Sequence, residues 1–242
     1  MFKSSISAAE KNFIYYLPKT GLYYERNRNY SLDIETKDNT TSLLSPYIRY
    51  RAISEENILK KVIEFSGLNK AEKFIQEIFW RTYWKGWLEH KPEVYLDYIN
   101  EKNYLNEEFR NKKDYLNAIN GNTNLSFFNQ WIKDLRKYGY LHNHIRMWFA
   151  SIWIFTFKLP WQLGADFFMQ NLLDGDPASN TLSWRWVAGL QTKGKHYAAQ
   201  SWNISKFTNN KYKNVKLNEN ALSLTDKREY KLNPLSFFYE DN

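Results

Sequence analysis

Apolar residues recur at intervals of three and four along most of the 242-residue chain, the spacing at which side chains share one face of a helix. After Ser54, a good N-cap, this pattern continues to Gly67 and predicts one helix. The same pattern predicts helices over about 70–90 and 125–138, and two more in the apolar segment that follows. We therefore predict an all-α fold with a single helical domain over residues 1–242.

Three stretches show this pattern weakly. Residues 1–40 are polar and aromatic with turn-forming residues, and we expect an irregular lead-in there. Residues 95–122 are rich in lysine, asparagine and glutamate with short apolar pairs, which predicts brief helices and surface loops. Residues 205–242 form a polar tail for which we expect loops.

Two predicted helix starts combine a capping residue with a proline at the first helical position. Ser45 precedes Pro46, and Asp176 precedes Pro177. Because a helix start carries unpaired N–H groups and a partial positive charge, the first of these turns offers a place for a diphosphate. Asp174 adds another carboxylate to the second turn, where double capping is the simpler interpretation.

One face of the predicted helix 70–90 carries unusual chemistry. Glu77, Trp80, Arg81 and Trp84 stand at i, i+3, i+4 and i+7, so a carboxylate, a guanidinium and two indoles share that face. An exposed Glu–Arg pair beside amphipathic tryptophans is the alternative interpretation.

A polar-tipped face also runs along the apolar helix that follows Tyr140. The residues at helical spacing there are His142, Asn143, Arg146, Met147 and Ala150. We expect this face to meet something polar and buried.

Composition excludes several kinds of chemistry. The chain has no cysteine, which rules out disulfides, thiolate zinc sites and cysteine-ligated iron–sulfur clusters. His142, His144 and His196 lack a carboxylate or cysteine at fitting spacing, so we predict no metal site. There is no P-loop and no GxGxxG motif. The N-terminus lacks the apolar run of a signal peptide, and we predict no membrane segment and a cytoplasmic location.

Charge and aromatic content point to possible partners. The net charge of +8 favours a polyanion such as nucleic acid, although lysine, asparagine, isoleucine and tyrosine are abundant together, as in AT-rich genomes. Aromatic residues make up 18% of the chain and include ten tryptophans. Stacking surfaces, electron-transfer aromatics and a dense helical core all fit this composition.

The ordered motifs HNxxRM, LPWQ and LLDGDxASN followed by WxW resemble the flavin-binding, catalytic half of the DNA photolyase and cryptochrome family. ExxWRxxW and TSxLSP match it earlier in the chain. The resemblance implies a flavoprotein that binds FAD and splits cyclobutane pyrimidine dimers in damaged DNA by light-driven electron transfer. The alternatives are a blue-light-sensing flavoprotein without repair activity and a helical nucleic-acid binder without cofactor. Full-length members begin with an antenna-bearing α/β domain, so we expect any antenna pigment to be absent or carried by a separately encoded protein.

The resemblance also implies a cofactor site. In it, Asp174 and Asp176 hold the flavin, Arg146 offsets charge, and Asn180 faces flavin N5. The residues that match the family's cofactor-binding motifs are Tyr30, Thr41, Ser42, Leu43, Leu44, Ser45, Arg81, Trp84, Asn143, Arg146, Asp174, Gly175, Asp176 and Asn180.

On the lesion side, the resemblance implies that Glu77 contacts a pyrimidine carbonyl while indoles stack on the flipped bases. Met147 stands where enzymes for 6-4 photoproducts have histidine, which favours cyclobutane dimers, and His144 replaces a customary arginine. The residues so assigned to substrate are Glu77, Trp80, Asn143, His144, Met147 and Trp186.

The resemblance further makes Trp184 and Trp161 the inner members of an electron relay, so that the catalytic residues are Glu77, Asn180, Trp184 and Trp161. The family's outermost relay tryptophan would lie near Ala118, where this chain has none. Tyr115 or Trp131 is the expected substitute.

Overall fold

The computed structural model describes residues 2–31 and 39–230, and every regular element within them is a helix, so the all-α prediction is confirmed. A 3-10 turn at Leu17–Lys19 and a π-helical turn at Ile152–Thr156 join the α-helices. In chain order these are α1 (Ile6–Tyr16), α2 (Leu22–Asn27), α3 (Ser45–Arg49), α4 (Glu55–Ser66), α5 (Leu68–His90), α6 (Glu93–Phe109), α7 (Lys113–Asn120), α8 (Ser126–Tyr138), α9 (Asn143–Ser151), α10 (Trp161–Asn171), α11 (Pro177–Ala188) and α12 (Ser201–Phe207).

The predicted caps of α4 and α11 are present. The Ser54 side chain accepts a hydrogen bond from the Asn57 amide at 3.2 Å, and the Asp176 side chain accepts one from Ser179 at 3.0 Å. The cap predicted at Ser45 is wrong. The first residue of α3 is Ser45 itself, so it does not occupy the cap position, and its hydroxyl donates to the carboxylate of Asp174, a strong acceptor, across the fold.

The irregular lead-in predicted for residues 1–40 is also wrong, because α1 and α2 occupy much of it. The Ser5 hydroxyl accepts from the Ala8 amide at 3.1 Å and caps α1. Ala9, Phe13 and Tyr16 then bury one helical face. These three residues are four and three apart, a helical spacing that the surrounding polar and turn-forming residues obscured.

The middle stretch is more regular than predicted. Instead of brief helices and loops, residues 93–109 form the 17-residue helix α6, whose narrow buried stripe includes Val94 and Tyr98. A stripe this narrow leaves most positions of the helix polar, so the helical repeat of apolar residues was not evident in the sequence. The tail agrees with its prediction over residues 208–230, which contain no helix, and residues 231–242 lie outside the described part of the chain.

Two apolar clusters form the interior. One gathers residues of α1 to α4 and the first half of α5, among them Phe13, Val62 and Phe74. The larger one gathers α6 to α12 and includes Trp131 and Trp148. α5 packs against α2 and α4 on one side and against α11 on the other. Lys85 of α5 thereby reaches Asp176 in the turn of residues 172–176, here called the acid-rich turn, which precedes α11.

Around α10 the larger core is packed without spare space. A side-chain carbon added at Gly164 would lie 2.3 Å from a ring carbon of Trp184, well inside contact distance.

The π-helical turn before α10 is marked by a hydrogen bond from the Phe157 amide to the Ile152 carbonyl at 2.9 Å. Just beyond it, the Trp153 indole N–H donates to the Pro160 carbonyl at 2.9 Å.

Within residues 2–31 and 39–230, no helix has both the length and the apolar character needed to cross a lipid bilayer.

Candidate functional site

The acid-rich turn between α10 and α11 is the centre of a buried polar network. One oxygen of Asp174, Oδ2, accepts from the Ser45 hydroxyl at 2.5 Å and from the Arg146 guanidinium at 2.8 Å. The other oxygen, Oδ1, is buried with no hydrogen-bond partner. A buried carboxylate oxygen without a donor is costly, so its position indicates a ligand atom that donates to it.

Arg146 is fixed on three sides. Its Nε donates to the Leu141 carbonyl at 2.8 Å, its terminal nitrogen to Asp174, and its guanidinium lies 5.1 Å from the centre of the Tyr140 ring. Burial by itself lowers the pKa of Arg146, but the carboxylate of Asp174 more than offsets this and the pKa is raised overall. The side chain therefore holds a permanent positive charge beside the acid-rich turn.

The rest of the acid-rich turn is held by neighbouring helices. The Gly175 carbonyl accepts from Arg49 Nε at 2.6 Å, which ties the turn to α3. Asp176 caps α11 with one oxygen, and its other oxygen lies 3.9 Å from the Lys85 ammonium of α5. The double-capping alternative thus holds for Asp176 alone.

Asn180 lies one turn into α11 and is buried, and a hydrogen bond fixes the orientation of its side-chain amide. Its Nδ2 donates to the Ala165 carbonyl of α10 at 2.8 Å. With the nitrogen directed to α10, the side-chain oxygen is the group of Asn180 that is left to meet a ligand. Ser179 and Thr181 beside it each have a buried hydroxyl with no partner.

The predicted phosphate turn lies before α3. Leu43 has a positive φ of 53°, and the Ser42 carbonyl accepts from the Asn12 side chain at 2.8 Å. A cleft that is open to solvent runs beside this turn. Of the residues predicted to bind cofactor, Thr41 and Leu43 line this cleft. Tyr30, also predicted there, instead packs its ring 5.1 Å from that of Phe207.

On α5 the predicted face is present, but its charges pair with other elements. Glu77 forms an ion pair with Arg28 at the end of α2, and Arg81 lies 3.7 Å from Glu55 of α4. The alternative of a Glu77–Arg81 pair is therefore wrong. Trp80 is 47% exposed and stacks on Trp84, with ring centres 5.5 Å apart. Nothing in the local helical pattern pointed to Arg28.

The polar face expected on α9 is only partly buried. His142 is the N-cap, Asn143 is exposed, and Met147 is half-buried. The expectation that the whole face meets buried polar groups is wrong, because only Arg146 reaches the acid-rich turn. Burial, the largest effect, lowers the pKa of His142 to about 3 and keeps the ring neutral.

His144 is buried, although the resemblance assigns it to substrate. Its ring stacks on Trp148 with centres 4.2 Å apart, and its Nδ1 lies 2.9 Å from the Asn29 carbonyl. Burial, chiefly, lowers its pKa as well. Trp186 stacks on Tyr197 at 5.9 Å, and Tyr197 was not singled out from the sequence.

The two predicted relay indoles are both buried in the larger core. Trp184 packs against Trp153 at 6.3 Å between ring centres, and Trp161 stacks on Tyr98 at 5.4 Å. The expected third members lie elsewhere. Tyr115 contacts Trp153, and Trp131 stacks on Trp148.

The comparisons with known proteins agree with this fold. The family model described as the FAD binding domain of DNA photolyase matches residues 74–216. The chain is 31% identical to the deoxyribodipyrimidine photo-lyase of Streptomyces griseus over 156 residues, which cover 64% of this chain and 33% of that protein. It is 29% identical to the deoxyribodipyrimidine photo-lyase of Buchnera aphidicola subsp. Baizongia pistaciae over 205 residues, covering 81% of this chain and 42% of that one.

Among solved structures, a class III photolyase from Agrobacterium tumefaciens superposes with a TM-score of 0.68 at 27% identity, over 84% of this chain and 42% of that protein. The chain thus spans less than half the length of these relatives. The helical fold and the match to a family of FAD-binding domains place this chain in a flavin-binding class of protein. The chain belongs to the family of FAD-binding domains of DNA photolyases, and FAD is the cofactor of that family.

Proposed function

We propose that this chain is the catalytic domain of a light-driven repair enzyme that splits cyclobutane pyrimidine dimers in DNA. The observation that carries the proposal is the carboxylate of Asp174, which is held by Ser45 and Arg146 and has one buried oxygen without a donor. The names of the relatives, deoxyribodipyrimidine photo-lyase, supply the reaction. The positive net charge supports binding to a polyanion.

The residues around the acid-rich turn fit the bound cofactor. Asp174 Oδ1 would accept from the flavin, Arg146 would offset negative charge on it, and the amide of Asn180 would meet its ring edge. The turn before α3, with Thr41 and Ser45, would hold the diphosphate. When bound, FAD supplies the light-driven one-electron chemistry, and the protein supplies orientation and electrostatics.

α5 would hold the lesion. Trp80 exposes about half of its indole while Trp84 supports it from behind, an arrangement that suits stacking on a base taken out of the duplex. Arg28 forms an ion pair with Glu77, and a carboxylate only accepts hydrogen bonds. Glu77 would therefore contact an N–H group of a pyrimidine and not the carbonyl that the family resemblance implies. Met147 and Trp186 are the remaining residues that we assign to the dimer.

The inner part of the electron relay is assigned to Trp184 and Trp161. Both indoles are buried at 2% and 4% exposure, which shields a transient radical from solvent. Their role is to deliver electrons to the flavin before repair begins.

A light-sensing flavoprotein without repair activity is the competing function. The observation in its favour is His144, which replaces an arginine of the family and lies buried against Trp148 and Asn29. A neutral, buried imidazole provides no charge for a DNA phosphate.

The deciding experiment is a repair assay under blue light. Purified protein loaded with FAD and reduced is mixed with an oligonucleotide that contains one thymine dimer, and restored thymines are counted by chromatography. Light-dependent restoration supports repair. Protein that binds FAD and changes its absorption under light but restores no thymine supports sensing, and protein that takes up no FAD contradicts both.

A further inference from the structure

A cluster of charges lies outside the cofactor site, where the tail crosses α6 and α11. Arg228 contacts three carboxylates: Asp226 at 2.9 Å, Asp97 at 3.2 Å and Glu101 at 2.5 Å. Arg185 of α11, which is buried, lies 3.8 Å from Asp226. Nothing in the proposed repair chemistry requires these groups.

Residues 224–230, here called the tail strap, are held in place by backbone contacts as well. The Leu224 amide donates to the Ala188 carbonyl at the end of α11 at 2.9 Å. At the other end, the Lys91 ammonium donates to the Tyr230 carbonyl at 3.0 Å. The side chain of Tyr230 therefore has a defined position although the tail has no regular structure.

The tail strap places Tyr230 close to Trp161. The Arg185 guanidinium lies near both rings, 6.0 Å from the centre of Trp161 and 5.5 Å from the centre of Tyr230. The two ring centres can be no farther apart than the sum of those distances. The positive charges of Arg185 and Arg228 would oppose a radical cation here, but the neighbouring carboxylates of Asp226, Asp97 and Glu101 offset them.

Tyr230 also has a proton acceptor in place. Its hydroxyl donates to Asp97 Oδ2 at 3.0 Å. A phenol gives up an electron much more readily when its proton leaves at the same time, and a carboxylate at hydrogen-bond distance can take that proton. Burial, the largest effect, raises the pKa of Tyr230 to about 12, so the phenol carries its proton at neutral pH.

We propose that Tyr230 is the outer electron donor of the relay and that Asp97 accepts its proton. This inference rests on the proposed function, in which the bound flavin under illumination would act as the one-electron oxidant of Trp161 by way of Trp184. One electron then passes from Tyr230 to the Trp161 radical cation. The O–H bond of Tyr230 breaks and an O–H bond forms on Asp97. The products are an intact Trp161, a neutral tyrosyl radical and a protonated Asp97.

Other aromatic residues are less suited to this role. Tyr98 stacks directly on Trp161, but within residues 2–31 and 39–230 its hydroxyl donates to no carboxylate, so its oxidation would strand a proton in the core. Tyr115 and Trp131 contact Trp153 and Trp148 rather than Trp161.

The test uses the full chain loaded with oxidised FAD and illuminated with blue light in the absence of an external reductant. Time-resolved absorption and electron paramagnetic resonance with ring-deuterated tyrosine identify the radical. The original protein should form a tyrosyl radical. Tyr230→Phe should abolish it and lower the yield of lasting flavin reduction several-fold. Asp97→Asn, which keeps an acceptor oxygen but takes up no proton at neutral pH, should slow its formation.

Controls separate this inference from the proposed function. Tyr104→Phe removes a phenol that is 69% exposed on α6 and should leave the tyrosyl signal unchanged. FAD retention and circular dichroism establish that each variant is folded. If Tyr230→Phe keeps the tyrosyl signal, or Tyr98→Phe alone removes it, this inference is wrong while the relay stands. If the protein binds no FAD, or Trp161→Phe leaves photoreduction intact, the relay of the proposed function is itself overturned and this inference with it.

Discussion

Replacement of Asp174 by asparagine tests the buried network directly. The Asp174 side chain is 4% exposed and its partner Arg146 is 22% exposed, with 2.8 Å between the paired atoms. Removing one partner of a buried ion pair leaves the other charge uncompensated and costs about 3–5 kcal/mol. Asparagine keeps one acceptor oxygen, and Arg146 keeps its bond to Leu141, so we expect the lower end, about 3 kcal/mol. For a chain of this size that corresponds to a fall in Tm of roughly 6–12 °C.

Urea unfolding of the flavin-free protein, followed by far-ultraviolet circular dichroism, measures this change without interference from cofactor binding. Glu107→Gln is the matched control, because that carboxylate is 77% exposed in a surface pair with Arg110 and should change the free energy of unfolding by less than about 0.5 kcal/mol. The double variant Arg146→Met with Asp174→Asn should recover part of the loss, since no buried charge remains unpaired. A loss for Asp174→Asn no larger than that of the control would refute the assignment of a buried ion pair.

Three further predictions follow from single contacts. Burial lowers the pKa of His142 to about 3 in the native protein, whereas the ordinary pKa of the ring in the unfolded chain is about 6.5. Between these two pH values the unfolded chain binds a proton that the native ring does not. The free energy of unfolding therefore falls with decreasing pH, by up to about 1.4 kcal/mol per pH unit. His142→Asn retains a capping side chain but has no ring to protonate. Between pH 7 and 4, the slope of its free energy of unfolding against pH should therefore be smaller, by the amount that corresponds to about one proton. Gly164→Ala should destabilise by about 1–3 kcal/mol in thermal unfolding, because the added carbon would lie 2.3 Å from a buried indole. Trp80→Ala should weaken binding of a dimer-containing oligonucleotide by about 1–3 kcal/mol in fluorescence titrations, with little change in stability, because a stacked base is lost.

Each has a matched control. The intact protein is the reference for the pH series, and equal slopes for it and His142→Asn would contradict the neutral buried ring. Gly86→Ala on α5 meets no atom within 4 Å and should stabilise by up to about 1 kcal/mol, so a loss there equal to that of Gly164→Ala would point to a general effect. Trp202→Ala removes an indole that is 63% exposed on α12. If this variant lost as much DNA affinity as Trp80→Ala, the assignment of Trp80 to base stacking would be contradicted.

Local signals in the sequence predicted much of the fold. Ser54 with Gly67, and Asp176 with Pro177, marked helix ends correctly because caps are local hydrogen bonds between residues two or three apart. The helical period of α5 was equally clear. Local signals failed where composition masked the period, as in α1 and α6, whose buried stripes are narrow.

The partners of charged residues were decided by tertiary structure alone. On the helix surface Glu77 and Arg81 are natural partners, yet each pairs with a residue of another helix, Arg28 and Glu55. Ser45 had every local mark of a cap and binds Asp174 instead. Such contacts depend on how helices pack, and no spacing along the chain encodes them.

The sequence by itself determined the helical class of this protein, its family, and the residue types that the acid-rich turn and α5 present. Only the tertiary structure decided that α5 and α11 lie side by side, that one oxygen of Asp174 is buried without a donor, and that Tyr230 reaches the neighbourhood of Trp161. The physical reason is that caps and helical periods act over a few residues. A buried ion pair or a ring contact, by contrast, joins groups that are distant in the chain. Its favourable interaction offsets the free energy lost on removing these groups from water only when the whole core has assembled.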